Sequence, residues 1–138
     1  MTGTIFPDLE AALEARVQAL SSETEIAWEG ISYAPRKGRP YLAVQTAARQ
    51  RSPMALGPQS PHLWVGTWSF RVVHPAEEGK AIAYQRAKTV LDWFPRALTL
   101  VYGGAKIVVE SGSIQPAYPT ADWLNIPVTV SWFTEEAP

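Results

Sequence analysis

The stretch His62–His74, which reads HLWVGTWSFRVVH, is the longest apolar run in the chain and organises the rest of it. Successive side chains of a strand point to opposite faces, so alternate residues of this run share a face. One face then carries Trp64, Trp68 and Phe70, and each aromatic side chain can bury roughly 150–250 Å². We therefore predict a strand in the middle of a sheet. Gly66, between the two tryptophans, predicts a bulge or a close approach by another backbone.

The composition is that of a globular chain. Its 138 residues suit one domain, 1–138, and 46% of them are hydrophobic. A net charge of −1 gives no electrostatic reason to expect a nucleic acid or an acidic membrane as partner. The absence of cysteine excludes disulfides and thiolate zinc sites. No apolar run reaches the roughly 18–20 residues that span a bilayer, and the N-terminus lacks a secretory signal pattern. We expect a soluble protein that is made and kept in the cytoplasm.

Two segments have the periodicity of amphipathic helices. In residues 7–20 and 79–94 apolar side chains recur three or four positions apart. Pro7 suits the first turn of the first helix. Pro95 ends the second helix, because proline lacks an N–H and restricts the residue before it. The two apolar stripes are formed by Leu9, Leu13, Val17 and Leu20, and by Ala83, Ala87, Val90, Leu91 and Phe94.

Shorter alternating or apolar runs predict five further strands. Gly103 and Gly104 join two of these runs and predict a type I′ β-hairpin, which needs positive φ at both positions. The order α–β–β–β–α–β–β–β predicts an α+β fold, with an antiparallel or mixed sheet and two helices packed on one face. These strands are expected at residues 25–29, 41–46, 98–102, 105–110 and 122–133.

The segment 47–61 contains three prolines and a glycine and has no helical or strand period. Loops longer than about 12–15 residues in a compact domain are usually functional or disordered. Because strands flank it, the segment could extend a long β-hairpin as an arm. It has a charged shoulder, Arg49–Arg51, and an apolar tip, Met54–Leu56. Two interpretations stay open: an arm that orders only against another molecule, and an ordinary mobile loop.

The final strand contains Pro127, which cannot donate a backbone hydrogen bond to a sheet. We therefore predict that this strand lies at an edge or is bulged there. A long apolar edge strand invites pairing with another chain. We expect the acidic tail after Phe133 to be frayed.

The sequence offers no catalytic constellation. His62 and His74 bracket one strand and would lie roughly 40 Å apart at about 3.3 Å per residue, too far to share a metal. Each is expected to be a surface residue at a strand end. No zinc, phosphate-loop or nucleophile-elbow pattern is present. We predict no catalytic residue, cofactor site or metal site, and no enzymatic activity.

Several local patterns are shared with a known family. The run EIAWEGISYAPRKGRPYLAV contains Ile26–Glu29, a Pro/Gly loop and then Pro40–Leu42. A Gly-containing arm, with Leu56 and Gly57, precedes the apolar strand, and a closing strand ends in an aromatic, Val128–Trp132. In these features the chain resembles the tail terminator (minor tail protein U-like) family of long-tailed bacteriophages over nearly its whole length.

The resemblance implies a structural virion protein that forms a six-fold ring, a hexamer, at the head-proximal end of the tail. Such a ring caps the tail tube, ends its polymerisation and joins it to the head–neck connector. The implied partners are copies of itself, the tube protein and the connector, with no nucleic acid sequence recognition and no membrane. Assembly would occur in the host cytoplasm, and in that family the long arm is often mobile in the free subunit.

Interface residues and alternatives complete the sequence-based hypothesis. Arg49 and Arg51 are assigned to the tube-facing side. One alternative is another head–tail joining or neck ring protein. The other is a ligand-binding or enzymatic α+β domain with a pocket built from Trp64 and Trp68. The candidate subunit or tube interface consists of Arg49, Gln50, Arg51, Met54, Leu56, Trp123 and Pro127.

Overall fold

The structure is a computed structural model that describes residues 5–20, 24–54 and 57–136, with the backbone alone for Ile5, Leu20 and residues 46–48. It confirms the α+β class, with two helices and a large mixed sheet. The elements in chain order are α1 (Ile5–Leu20), β1 (Glu25–Ala27), β2 (Tyr41–Pro53), β3 (His62–Pro75), a 3-10 turn (Ala76–Glu78), α2 (Lys80–Asp92), β4 (Thr99–Tyr102), β5 (Ala105–Ile114), β6 (Tyr118–Thr120) and β7 (Trp123–Glu136).

The strands form one sheet in the order β1-β2-β3-β7-β5-β4, and β6 pairs with β7. Strand β1 is parallel to β2, whereas all other pairs are antiparallel. Strand β3 lies between β2 and β7, so the central strand predicted from its aromatic alternation is confirmed. Neither helix of the described chain is long and apolar enough to cross a membrane.

The core lies between one face of the sheet and the two helices. Trp68 and Phe70 of β3 are fully buried there, as predicted for that face. The Trp68 ring lies 5.6 Å from the ring of Trp132 in β7, and the Phe70 ring lies 5.3 Å from that of Phe94 after α2. We call this the helix face of the sheet. The helices contribute buried Leu9, Leu13, Val17, Ala83, Ala87 and Val90.

Strand β2 is longer than predicted. It continues to Pro53, so the expectation that residues 47–53 have no strand structure is wrong. The register with β3 shifts between Thr46 and Arg49, where three steps along β2 face only two along β3, from Trp68 to Gly66. This bulge breaks the two-residue alternation, which is why the sequence pattern missed the strand. Gly66, where a bulge or a close approach by another backbone was predicted, lies opposite this bulge, and the extra residue belongs to β2 rather than to β3.

The long β-hairpin of β2 and β3 is confirmed. The N–H of Met54 donates to the carbonyl of Pro61 over 3.1 Å and closes the turn at its tip. A third strand accompanies this arm, because β7 pairs with β3 as far as Glu136, opposite His62. The tail is therefore not frayed up to Glu136; residues 137–138 lie outside the described part of the chain.

Strand β7 is not an edge strand, and that prediction is wrong. It pairs with β3 along its whole length and with β5 and β6 on its other side. The carbonyl of Pro127 accepts from the N–H of Gln115 over 2.9 Å. In an antiparallel ladder the nitrogen and oxygen of one residue face the same neighbour. The proline nitrogen therefore faces the place where β5 ends and β6 begins, and no regular ladder bond is lost.

The hairpin of β4 and β5 is present at Gly103 and Gly104. Gly103 has a φ of 58°, whereas Gly104 is not among the residues with positive φ. Positive φ at the first position alone is the pattern of a type II′ turn rather than of the type I′ turn predicted.

Candidate subunit and partner interfaces

The predicted interface residues fall into two groups at opposite ends of the sheet. Arg49, Gln50, Arg51 and Met54 lie at the end where β2 meets the start of β3. Trp123 and Pro127 lie toward the other end, because Trp123 pairs with Pro75, the last residue of β3. The thirteen steps from His62 to Pro75 span roughly 40 Å at about 3.3 Å per residue. Leu56 lies outside the described residues.

The two arginines of the arm are held by their own chain. Arg49 lies on the helix face and donates a hydrogen bond from its guanidinium to the Glu10 carboxylate of α1. The same guanidinium lies 4.6 Å from the centre of the Phe6 ring. The Arg51 guanidinium lies 5.9 Å from the Trp64 ring. The sequence could not indicate these contacts, because the face on which Arg49 lies depends on the bulge.

Gln50 and Met54 are exposed residues of the arm for which no contact with α1 or Trp64 is seen in the described part of the chain. Gln50 is exposed and lies on the sheet face opposite the helices, in register with Val65. Met54 is 48% exposed at the tip.

The other end of the sheet has an open cleft. Trp123 is half-buried, and its ring meets Tyr41 edge-on with the centres 5.7 Å apart. The cleft has a volume of about 720 Å³, and Trp123, Lys37, Glu77 and Asp122 are among its lining residues. Both signs of charge are therefore present beside an aromatic ring, which suits a protein surface better than a single charged ligand.

A polar cluster supports this end of the sheet. The hydroxyl of Tyr33 donates to Glu25 over 2.6 Å, and the ring of Tyr33 lies 4.8 Å from that of Tyr41. Burial, followed by the hydrogen bond to Glu25, raises the pKa of Tyr33 to about 12. Arg36 is exposed, as expected for its loop, and its Nε lies 3.4 Å from Glu25.

The two histidines considered for chemistry lie at opposite ends of β3. His74, expected at the surface, is fully buried, so that prediction is wrong; it pairs with Leu124 of β7, and its Nε2 lies 2.5 Å from Oε2 of Glu78 in the 3-10 turn. Across the described ranges, no group of three or more His, Cys, Asp or Glu residues is placed to hold a metal ion. Trp68 is fully buried beside Phe94 and Trp132, so it does not line a ligand pocket with Trp64.

A model of the family described as phage tail terminator protein matches residues 8–132. The chain belongs to the phage tail terminator family. As a tail terminator it has a structural role and is a component of the virion tail, and its partners are related to that tail. No curated protein matches the sequence of this terminator.

Two solved structures share the fold of the terminator. One is 22% identical with a TM-score of 0.67, and the match covers 97% of this chain and 95% of the other. The second is described as "Virion of native gene transfer agent (GTA) particle"; it is 17% identical with a TM-score of 0.66, covering 97% of this chain and 99% of that one. At these identities the likeness concerns the fold.

Proposed function

We propose that this terminator forms a closed ring, a hexamer, that caps the tail tube at the head-proximal end. The ring ends tube polymerisation and joins the tube to the head–neck connector, after assembly in the host cytoplasm. The chain acts in it as a single domain, 1–138. The family match over residues 8–132 is the observation that carries this proposal.

The arrangement of the candidate surfaces supports a ring with two different ends. A contact between two different surfaces of the same subunit makes a ring when it closes and a filament when it does not. A cap must bind the last tube ring on one side and offer no tube-like surface on the other. The arm tip and the Trp123 cleft lie roughly 40 Å apart along β3, so one subunit can contact two partners at once.

The arm tip is the tube-facing end in this proposal. Met54 is exposed there, and Gln50 is exposed on the uncovered face of the sheet. Arg49 shapes this end by holding the arm against α1, and Arg51 lies beside the Trp64 ring across the hairpin. The cleft with Lys37 and Trp123 then faces the connector. Specific contacts of this kind bury about 1,000 Å² or more.

Light scattering of tube protein during polymerisation, with and without the terminator, tests the proposal. The native mass spectrum of the terminator alone should show a closed oligomer, and added terminator should limit the length of the tubes. Met54→Asp should abolish this limit while the oligomer persists. Lys37→Glu, an exposed charge change at the other end, should leave tube length limited and weaken binding to the connector.

Three outcomes separate the competing functions. A strict monomer without effect on the tubes would overturn both the ring and the capping role. A ring that binds the connector and ignores the tube would instead identify another neck ring protein. Loss of capping by Lys37→Glu, with Met54→Asp active, would reverse the assignment of the two ends.

A further inference from the structure

The sheet has two outer edges that are only partly covered. On one side, β1 pairs only with Tyr41–Ala43 of β2, and in the described part of the chain no strand lies outside β2 from there to Pro53. On the other side, β4 pairs with Ala105–Val108 of β5, and Val109 bonds to Ala97 and Leu98. The next residues of β5, 110–114, have no strand outside them within the described ranges.

The two open stretches lie at the same level of the sheet. Gln45 pairs with Ser69, Ser69 with Thr129, and Thr129 with Ser113. These four residues therefore form one row across β2, β3, β7 and β5. Gln45 and Ser113, at the two ends of this row, are both exposed. Both edges are open at one height, so a subunit can meet its copy there without a shift along the strands.

The directions of the strands fit such a contact. Three antiparallel pairings separate β2 from β5, so the two strands run in opposite directions. Rotation about an axis along the strands keeps these directions, and β2 of one copy would lie antiparallel to β5 of the next. In a closed ring, neighbouring subunits are related by rotation without a shift along the ring axis. If the strands run along that axis, residues of one row in one subunit meet residues of the same row in the next.

A cleft beside the free part of β5 leaves room for the incoming strand. It has a volume of about 490 Å³ and lies between the end of α2 and the edge of β5, with Leu91 and Phe94 at its base and Asp92, Arg96 and Glu110 at its border. An unpaired edge exposes backbone donors and acceptors that another strand can satisfy.

We propose that the free edge of β2, residues 44–46, pairs antiparallel with the free edge of β5, residues 111–114, of a second copy of this chain, so that the sheet continues from subunit to subunit. This inference rests on the proposed ring and specifies its contact. Each edge has a bulge, at residues 47–48 of β2 and at Glu110 of β5, which limits the ladder to this short stretch.

Disulfide trapping can test this pairing, because the natural chain contains no cysteine. The N–H of Gln115 faces β7, so by two-residue alternation the backbone of Ser113 does too. Toward an outer partner Ser113 is then a non-hydrogen-bonded position, where paired Cα atoms lie about 4.5 Å apart, within disulfide range. Within one subunit the two positions are three strand spacings, roughly 14 Å, apart and cannot be bridged.

The double variant Gln45→Cys/Ser113→Cys, oxidised and separated on a denaturing gel without reductant, should lose its monomer band to a covalent ladder that ends at the ring size. Each single variant should stay monomeric on the gel. The matched control Gln45→Cys/Val101→Cys places the second cysteine on exposed β4 and should give no ladder. Reduced variants should melt like the natural chain.

Native mass spectrometry of the reduced double variant distinguishes a failure of the edge pairing from a failure of the proposed ring. A ring that forms no ladder on oxidation overturns the edge pairing and leaves the ring intact. A strict monomer overturns the ring, and the pairing with it. A ladder from the Val101→Cys control would also overturn the pairing, because it would show contact outside the free part of β5.

Discussion

Leu91 of α2 occupies the space in which a side chain at Gly112 of β5 would lie. A Cβ atom added to Gly112 would be 2.3 Å from Cδ1 of Leu91 and 3.4 Å from the carbonyl oxygen of Thr129. The first distance is far below van der Waals contact, so a side chain at residue 112 can be accommodated only if the end of the Leu91 side chain moves away.

Gly112→Ala should lower the free energy of unfolding by about 0.5–1.5 kcal/mol, the cost of forcing the half-buried Leu91 side chain off its preferred rotamer. The midpoint of urea denaturation measures it. Leu91→Ala introduced with Gly112→Ala should cost less than the sum of the two single changes, since it removes the clash. Gly104→Ala is the matched control, because nothing lies within 4 Å of a Cβ there. Additive losses in the double variant would contradict the clash.

Arg49→Ala should destabilise the chain by about 1–2 kcal/mol, because it removes a partly buried ion pair with Glu10 and a cation–π contact with Phe6. The Arg49 side chain is only 19% exposed, so salt should screen this pair less than a surface pair. Gln50→Ala, at the neighbouring exposed position, should change stability by less than about 0.5 kcal/mol. Equal thermal midpoints for the two variants would argue against the intrachain role of Arg49.

Tyr33 should ionise near pH 12, above the ordinary tyrosine pKa of about 10. Since the pKa is raised in the folded state, its contribution to stability is complete below pH 10 and is lost as the pH rises toward 12. Absorbance at the tyrosinate band follows the titration, and Tyr33→Phe should remove the latest step. Glu25→Gln should lower the pKa of Tyr33, because the carboxylate hydrogen bond and charge raise it. An unchanged titration in Glu25→Gln would leave burial as the sole cause.

Trp132→Ala should lower the free energy of unfolding by about 3–5 kcal/mol, the typical cost of removing a buried aromatic. Trp132→Phe should cost less, because the indole N–H is buried without a hydrogen-bond partner among the described residues. Chemical denaturation compares the two variants. Val101 is 71% exposed on β4, so Val101→Ala serves as the control. A larger loss for Trp132→Phe than for Trp132→Ala would contradict this account.

The sequence was sufficient to predict a strand or a turn where the local residue pattern agrees with the burial in the structure. The alternation of Trp68 and Phe70 predicted the central strand, and the glycine pair at 103–104 predicted a hairpin; both are present. It failed where distant segments decide the outcome. Pro127 was taken to mark an edge or a bulge, because nothing local shows that its nitrogen faces the place where β5 ends and β6 begins. His74 was assigned to the surface as a residue near the end of its strand, because nothing local shows that Leu124 of β7 pairs beside it.

The candidate surfaces were harder to predict than the fold. The segment around Arg49 was singled out as unusual, and its role in an interface stays a prediction; the contact of the Arg49 side chain with Glu10 could not be foreseen from the sequence. A bulge moves every later side chain to the opposite face, so one unrecognised extra residue changes the expected exposure of the whole arm. The free edges of β2 and β5 also escaped notice, because an edge is defined by which strands are absent beside it.

The two bulges lie beside the same pair of inner residues, Gly66 and Trp132. Between the row of Gly66 and Trp132 and the row of Trp68 and Val130, β2 and β5 each have one residue more than β3 or β7. A sheet whose margins are longer than its midline cannot lie flat, so the margins must bend there. Single-residue insertions at its two borders thus bend the sheet, and deleting one of them would straighten that border and turn the side chains beyond it to the other face.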